Sequence, residues 1–515
     1  MTSMVGRPFD RVADVRGTRT LLVPFALATA MLLPVGASGA PDSITVDTAT
    51  DSFDGACDDD DCTLRDALAS VADGGTVELP PGSYALSIAG SGGLEEGDLD
   101  LTRPVTIARQ GEGGVFVDAS HLGDRVFQVD GDADVVVEGL TMLGGRGSFR
   151  GAGVRVVTGS VRLRDVTIVG GSAGEGGGGL SVGRQGSAIV SRSLFIDNRT
   201  RGTGGGIEVT GRLTMSDSAV VGNRARLGGG VDARSATLRL ENVTIAANRS
   251  RSVGGGLRAS GSVVLSHVTI AKNRADIGGG VAAPPGVVTF AGSIVADNAA
   301  TTHSSCDAPG DSVGANVEGV TDRCGFDRTS DVVRADVGLL ALRSNGGPTP
   351  TLALSATSPA IGIAQAGCDV RDQRGAPRGT PCDAGAYERV LCLGRPVSIV
   401  GTPGADELSG GREPDTFLGL GGDDEFQGSL ADDRACGGPG DDHLIGGPGD
   451  DVLAGQDGHD LLEGEDGDDR LLGGPGVDTC RGDPGRDATV ACEPPGRRTA
   501  GLPHDAATGG WPVHE

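Results

Sequence analysis

Apolar residues along this chain come in short, β-branched runs that return at a fixed interval. Leu194-Phe195-Ile196, Ala219-Val220-Val221, Val243-Thr244-Ile245, Val268-Thr269-Ile270 and Ser293-Ile294-Val295 each lead into an asparagine. The asparagines are Asn198, Asn223, Asn248, Asn273 and Asn298, each 25 residues after the last. After the first four comes a glycine triplet and one aliphatic residue, as in Gly204-Gly205-Gly206-Ile207 and Gly228-Gly229-Gly230-Val231, and Gly177-Gly178-Gly179-Leu180 opens the series. Short branched runs bounded by Gly and Asn predict strands. No segment holds a 3.6-residue apolar period, so a helical solenoid is disfavoured. A fixed period of this size means stacked units, and two or three short strands per unit predict the coils of a right-handed parallel β-helix. Neighbouring coils would then lie ~4.8 Å apart. The asparagines would form a column whose amides bond to each other and to turn backbone. Weaker copies of the pattern run back to about residue 45, which predicts about ten coils at this period.

A second pattern, with period nine, follows. Glycine stands at 401, 410, 419, 428, 437, 446, 455, 464, 473 and 482, and aspartate at Asp406, Asp415, Asp424, Asp433, Asp442, Asp451, Asp460, Asp469, Asp478 and Asp487. The rule is G-x-x-G-x-D-x-U-x, with U apolar at Leu408, Phe417, Phe426, Leu444, Leu453, Leu462 and Leu471. Six residues make a glycine-rich turn and three a short strand, so two repeats complete a coil of a parallel β-roll. Residues 401–490 hold 18 Asp and 5 Glu against 5 Arg, a charge of −18. Acid at that density is neutralised by cations or unfolds the chain. Turn carbonyls with one carboxylate per repeat form oxygen-only cages that suit Ca²⁺ at ~2.3–2.6 Å. The ten aspartates are therefore the candidate metal ligands and calcium the expected cofactor. Glu413 and Ala431 replace the second glycine and Ala435 the apolar residue, so weaker or missing ions are expected near repeats two and four.

Composition narrows the reading. Aromatics make up 3% and glycines number 91, which excludes a conventional core of large residues and agrees with stacked small repeats. The net charge of −27 makes nucleic acid a poor partner. Arg7, Arg11, Arg16 and Arg19, an apolar run from Leu21 to Val35 and the small residues Ala37 to Ala40 have the order of a secretory signal peptide. The run is shorter than the about 20 residues a transmembrane helix needs, and no second apolar run follows, so no membrane span is expected in the mature chain. The expected address is secreted or extracellular, with cell-surface association open. Ten cysteines in an exported chain predict disulfides. They group locally as Cys57 with Cys62, Cys306 with Cys324, Cys368 with Cys382 and Cys480 with Cys492, leaving Cys392 and Cys436, although connectivity is not deducible from sequence.

Family resemblances rest on particular motifs. Phe195-Ile196-Asp197-Asn198 and the glycine blocks resemble the FxxN and GGA(I/L/V) repeats of the polymorphic outer-membrane-protein type. Cys62-Thr63-Leu64-Arg65-Asp66-Ala67 resembles the CSLREA motif that begins a family of exported β-helix proteins. The segments Asn345-Gly346-Gly347-Pro348-Thr349-Pro350-Thr351, Asp372-Gln373-Arg374-Gly375 and Cys382-Asp383-Ala384-Gly385-Ala386-Tyr387-Glu388 resemble the closing region of such choice-of-anchor chains. The nonapeptides resemble the repeat-in-toxin, hemolysin-type calcium motif. These resemblances imply a pectin-lyase-like β-helix and an exported address, and no catalytic residues. The expected organisation is a signal peptide at 1–40, the β-helix at 41–300, a disulfide-bearing closing region at 301–392, the calcium roll at 401–490 and a disordered tail at 491–515.

Candidate chemistry is sparse. Gly170-Gly171-Ser172-Ala173-Gly174 and Gly179-Leu180-Ser181-Val182-Gly183 match G-x-S-x-G, but that motif needs a strand-to-helix elbow that this chain does not offer. Six residues before successive asparagines stand Arg192, Asp217, Asn242 and His267, a column expected to be a solvated strand end because no second carboxylate completes a pair. Arg199, Arg224, Arg249 and Arg274 form one column after the asparagines, and Arg201, Arg226 and Arg251 another. Their expected roles are a solvated edge, docking against the acidic roll, or a ladder for acidic polysaccharide or another polyanion. The preferred reading is a non-enzymatic calcium-binding adhesin, matrix or polysaccharide-binding protein. The alternative is a secreted polysaccharide lyase or hydrolase of pectin-lyase-like fold.

Overall fold

The computed structural model describes residues 40–57, 61–90, 92–147, 149–320, 323–333, 335–365 and 367–492. The expected signal peptide and nearly all of the expected tail lie outside the described residues.

The 25-residue period becomes a register. Arg212 pairs with Thr237 and Thr237 with Ser262, each in parallel, and Ala219 pairs with Thr244 and Thr244 with Thr269. Three parallel columns of strands result. The first runs from Ser43–Thr45 through Thr76–Leu79 and Val105–Arg109 to Asp311–Gly314. The second runs from Gly82–Ala85 to Val317–Glu318. The third runs from Leu99–Leu101 through Ile207–Val209 and Val231–Ala233 to Val281–Ala282. The chain thus winds as a right-handed parallel β-helix, the hand that parallel crossovers favour. Its first coils are longer, since Ser43 pairs with Thr76 and Thr76 with Thr106. These insertions are why the sequence pattern fades toward residue 45.

Inside, Val, Ile and Leu stack into one continuous core. The asparagine column closes the corner beside it. The backbone N–H of Asn198, Asn223, Asn248 and Asn273 donates to Oδ1 of the next asparagine at 2.9 Å. Each Nδ2 donates to a carbonyl of the preceding coil, Phe195 O and Val220 O among them. The glycine that opens each triplet is in the left-handed region, as at Gly228 with φ of 61°, where a Cβ would lie 2.7 Å from Val231 O. The amino end is covered by the helix Leu64–Ser70, N-capped by Thr63, which buries Leu64, Ala67 and Leu68 in the same core. Arg65 of that helix is buried, with Nε donating to Asp51 Oδ1 at 2.6 Å and Nη2 to Gly97 O at 2.7 Å.

At the other end, Val317 bridges to Val332, Phe326 packs edge-on against Phe290, and Cys306 bonds to Cys324. From Val337 to Tyr387 the chain then turns back along the outside of the second column, so the closing region covers a side as well as an end. Ala246 and Ala271 pack on Leu352, and Ile294 and Ala296 pack among Val337, Leu354, Ala360 and Tyr387. Arg374, fully buried, fixes this strap by pairing with Asp372 Oδ2 at 2.8 Å and stacking 3.9 Å from the Tyr387 ring.

The roll follows. Strands at Thr416–Leu418, Arg434–Pro439, Val452–Asp457 and Arg470–Leu472 build one parallel sheet. Strands at Glu407–Ser409, Glu425–Gln427, His443–Ile445 and Leu461–Glu463 build the opposing one. Partners are 18 residues apart, as in Glu425 with His443, so two nonapeptides make a coil. The core between the sheets is thin: Phe417, Phe426, Ala435, Leu444, Leu453, Leu462 and Leu471, one residue per repeat. Cys392–Cys436 ties the segment between strap and roll to the fourth nonapeptide, and Cys480–Cys492 closes the far end of the roll. With Cys57–Cys62, Cys306–Cys324 and Cys368–Cys382, every cysteine is paired among the described residues.

Candidate functional site

The nonapeptide turns hold the first candidate site. From the third repeat to the ninth, the second and fourth turn positions are left-handed, as at Leu420 (φ 83°) with Gly422 (φ 100°) and at Gln456 (φ 81°) with Gly458 (φ 154°). This turn buries the aspartate that follows. Its Oδ1 accepts the backbone N–H of the aspartate one coil earlier: Asp424 N to Asp442 at 2.9 Å, Asp433 N to Asp451 at 2.7 Å, Asp451 N to Asp469 at 2.9 Å. The other oxygen, Oδ2, of Asp424, Asp433, Asp442, Asp451, Asp460 and Asp469 is buried with no hydrogen-bond partner. It faces an opening that only glycine leaves: a Cβ at Gly446 would lie 2.3 Å from Asp451 Oδ2 and 2.9 Å from Gly464 O.

Electrostatics agree with that geometry. Burial pushes the carboxyl groups of Asp442 and Asp451 up to about 7 and those of Asp424, Asp433 and Asp460 to about 6, with neighbouring carboxylates adding to the rise. A row of buried carboxylates whose second oxygen lacks a partner is short of positive charge. Among the described residues no three acidic, His or Cys side chains converge. A cation there would take one carboxylate oxygen per turn and complete its shell with turn carbonyls, an all-oxygen set that fits Ca²⁺.

The ten aspartates are not equivalent. Asp406 and Asp415 sit in turns without the left-handed pair, and their Oδ2 atoms accept Thr402 N and Gly411 N. Asp478 is buried like its neighbours, whereas Asp487, at the last coil, is half-buried. The two glycine replacements also differ in consequence. Repeat two, with Glu413, lacks the turn. In repeat four Ala431 adopts φ of 83° despite its Cβ, and Asp433 is as buried as the aspartates around it.

The second candidate is the arginine edge. Arg199, Arg224, Arg249 and Arg274 pair in register in a parallel sheet of their own. Every residue of both columns is exposed, and Thr200, Ala225 and Ser250 between them point inward and are buried. Six of the arginines line an open groove of about 930 Å³ with Ser172, Ala173 and Gly174. Arg199 Nε donates to Ser172 Oγ at 3.2 Å. Among the described residues no carboxylate is paired with any of the seven, so the acidic roll of the same chain does not dock on them.

Other sequence candidates land elsewhere. Ser172 lines this groove, and Ser181 is buried with its hydroxyl donating to Glu208 Oε2 at 3.1 Å; both stand on strands, not at the strand-to-helix turn their motif needs. The column at Asp217, Asn242 and His267 is not a solvated strand end, because the strap covers it. Arg378 Nη2 donates to Asn242 Oδ1 at 2.8 Å, and His267 lies between Asp369 (3.1 Å) and Cys382. Burial, together with the Arg378 charge, pushes His267 down to about 3, so it is neutral. One cluster had no periodic signal because it precedes the regular coils: Arg125 Nη1 donates to Asp98 Oδ2 at 3.0 Å and to Gln128 Oε1 at 2.7 Å, and Gln128 Nε2 donates to Asp100 Oδ1 at 2.8 Å. Burial raises Asp98 to about 6 against the pull of Arg125.

Comparison with known proteins bears on the two halves separately. Residues 400–435, 427–462, 437–471 and 455–488 match the RTX calcium-binding nonapeptide repeat, in four copies. The chain has no significant match among curated protein sequences. Among solved structures it is similar to pectate lyase Pel9A at 14% identity and a TM-score of 0.42, over 64% of this chain and 92% of that one. It is similar to the PL6 family alginate lyase AlyGC at 10% identity and a TM-score of 0.24, over 82% of this chain and 74% of that one. Neither overlap is close enough to transfer a site. The fold is thus all-β, and the parallel β-roll that follows the β-helix consists of RTX calcium-binding nonapeptide repeats.

Proposed function

We propose that this is a secreted or surface-associated protein whose β-helix binds acidic polysaccharide without transforming it, while calcium holds the C-terminal roll. The ligands of that calcium would be the ten repeat aspartates, with Asp424 through Asp478 carrying most of the affinity. The observation that supports polysaccharide binding is the two arginine columns on an open groove, the first in strand register and none of the seven ion-paired to a carboxylate among the described residues. Guanidinium groups in such an array repel one another until anions lie between them, and their planar forks match carboxylate and sulfate oxygens. The leader at 1–40, the five disulfides and the likeness of residues 62–67 to the CSLREA motif support export. Replacing Arg199, Arg224, Arg249 and Arg274 together by Gln should abolish retention on an acidic-polysaccharide column. Elution of parent and variant at the same salt would reduce the ladder to a solvated edge.

A second reading, a polysaccharide-acting enzyme, is favoured by one cluster: Asp98, with a raised carboxyl, beside Arg125 and near Asp100 and Asp124. A carboxyl raised toward neutral pH beside other carboxyl groups has the character of a general acid. Incubation with acidic polysaccharides and assay for new reducing or unsaturated ends separates the readings. Their release, and its loss in Asp98→Asn, would favour the enzyme.

A further inference from the structure

The arginine ladder has two ends. Three successive coils present a pair of outward arginines: Arg199 with Arg201, Arg224 with Arg226, and Arg249 with Arg251. The next coil keeps Arg274 but has exposed Asp276 in the second column, and the coil after that has Ala299 opposite Arg274. On the other side Ser172 pairs with Arg199, and the cations stop there too. At ~4.8 Å per coil, seven guanidinium groups therefore span about 14 Å along the axis. Within each coil the two arginines of a pair are two residues apart, the second lying where the strands shift register. Between them Thr200, Ala225 and Ser250 are buried and add no charge to the groove.

From these dimensions we infer that the groove is a finite row of subsites for a linear acidic glycan of three to four charged residues, lying parallel to the coil axis with anionic groups reaching both edges. This rests on the polysaccharide-binding reading above and adds a length, a direction and a stop. An extended uronate chain advances by about one coil spacing per residue, so successive charges meet successive rungs. Asp276 sets the stop by placing a negative charge where the fourth pair would be completed. Binding driven by counterion release alone grows with every added charge, whereas a finite row saturates.

The test uses the full-length, calcium-loaded protein and oligouronates from dimer to octamer, with a sulfated oligosaccharide series of matched lengths as a second arm to separate carboxylate from sulfate recognition. Affinity should rise about tenfold or more from dimer to tetramer and then level off, and the salt dependence should stop steepening at the same length. Asp276→Arg completes the fourth pair and should tighten the tetramer more than the trimer, with circular dichroism unchanged. Affinity that climbs steadily to the octamer, or a tetramer that Asp276→Arg leaves no tighter, overturns the finite row while leaving polyanion binding intact. Failure of every oligomer and of the polymer to bind the parent overturns both.

Discussion

The β-helix and the β-roll are both stacks of parallel coils with a polar ladder at the corner, yet they close that ladder differently. In the β-helix the asparagine amide donates and accepts, so each N–H from Asn198 to Asn273 and each Oδ1 from Asn223 to Asn298 finds a partner in the chain itself. In the roll the ladder residue is aspartate, which accepts only. One oxygen is used by the preceding coil's N–H and the other is left bare in Asp424 through Asp469. The β-helix adds a core of three apolar columns, the roll one apolar residue per nine. A parallel stack with enough apolar surface and an amphoteric ladder stands alone, whereas a thin stack with an anionic ladder needs a cation from outside. Its stability is then linked to calcium concentration by mass action.

The largest test of this contrast is removal of calcium from the intact protein. Amide hydrogen exchange should accelerate across residues 419–482 while residues 194–298 stay protected, and loss of protection in both together would erase the distinction. Next in size is Asn248→Ala. It strands the buried N–H of Asn223 and one of its two Nδ2 hydrogens and should lower β-helix stability by about 2–4 kcal/mol. The calcium midpoint of the roll should not move, as read by denaturant unfolding and calcium titration of the same variant.

Within the roll, Asp451→Ala should raise the calcium midpoint several-fold, because it removes a bare oxygen and the acceptor for Asp433 N. Asp415→Ala should raise it much less, since Gly411 N already serves Asp415 Oδ2. Equal effects in a calcium titration followed by circular dichroism would mean that turn geometry does not grade the sites. A pH series in chelator adds the sign. Carboxyl groups raised to about 7 at Asp442 and Asp451 disfavour the calcium-free fold when ionised. That penalty is complete above about pH 7 and is relieved as pH falls through this value toward the unfolded carboxyl range. Calcium-free roll should therefore gain β signal at pH 5 relative to pH 8, and calcium should bind more weakly at the lower pH. The smallest effect belongs to the four-fold Arg→Gln ladder variant, whose unfolding free energy should stay within about 0.5 kcal/mol of the parent.

What was legible in the sequence was whatever repeats. The Asn198 and Asp451 columns were readable because coils of fixed length bring each residue onto its own copy. Even the exposed arginine columns followed from that arithmetic. The strap was not readable in this way. Asn242 and His267 looked like solvated positions in a repeating column, and the segment that buries them lies more than one hundred residues later with no period of its own. The grading of the aspartates was half legible: Glu413 flagged a weak turn, but Ala431 does not break one, because its neighbours hold it at φ of 83°.

By itself the sequence determined the two coil stacks, their registers and the chemistry of each ladder, since stacking identical units depends only on near neighbours along the repeat. The tertiary structure alone decided the course of the strap over the second column, the burial of Arg374 and His267, and the union of Cys392 with Cys436. It also decided which carboxylate oxygens are bare. These features depend on groups far apart in the chain and on turn dihedral angles, and neither leaves a periodic mark in the order of residues.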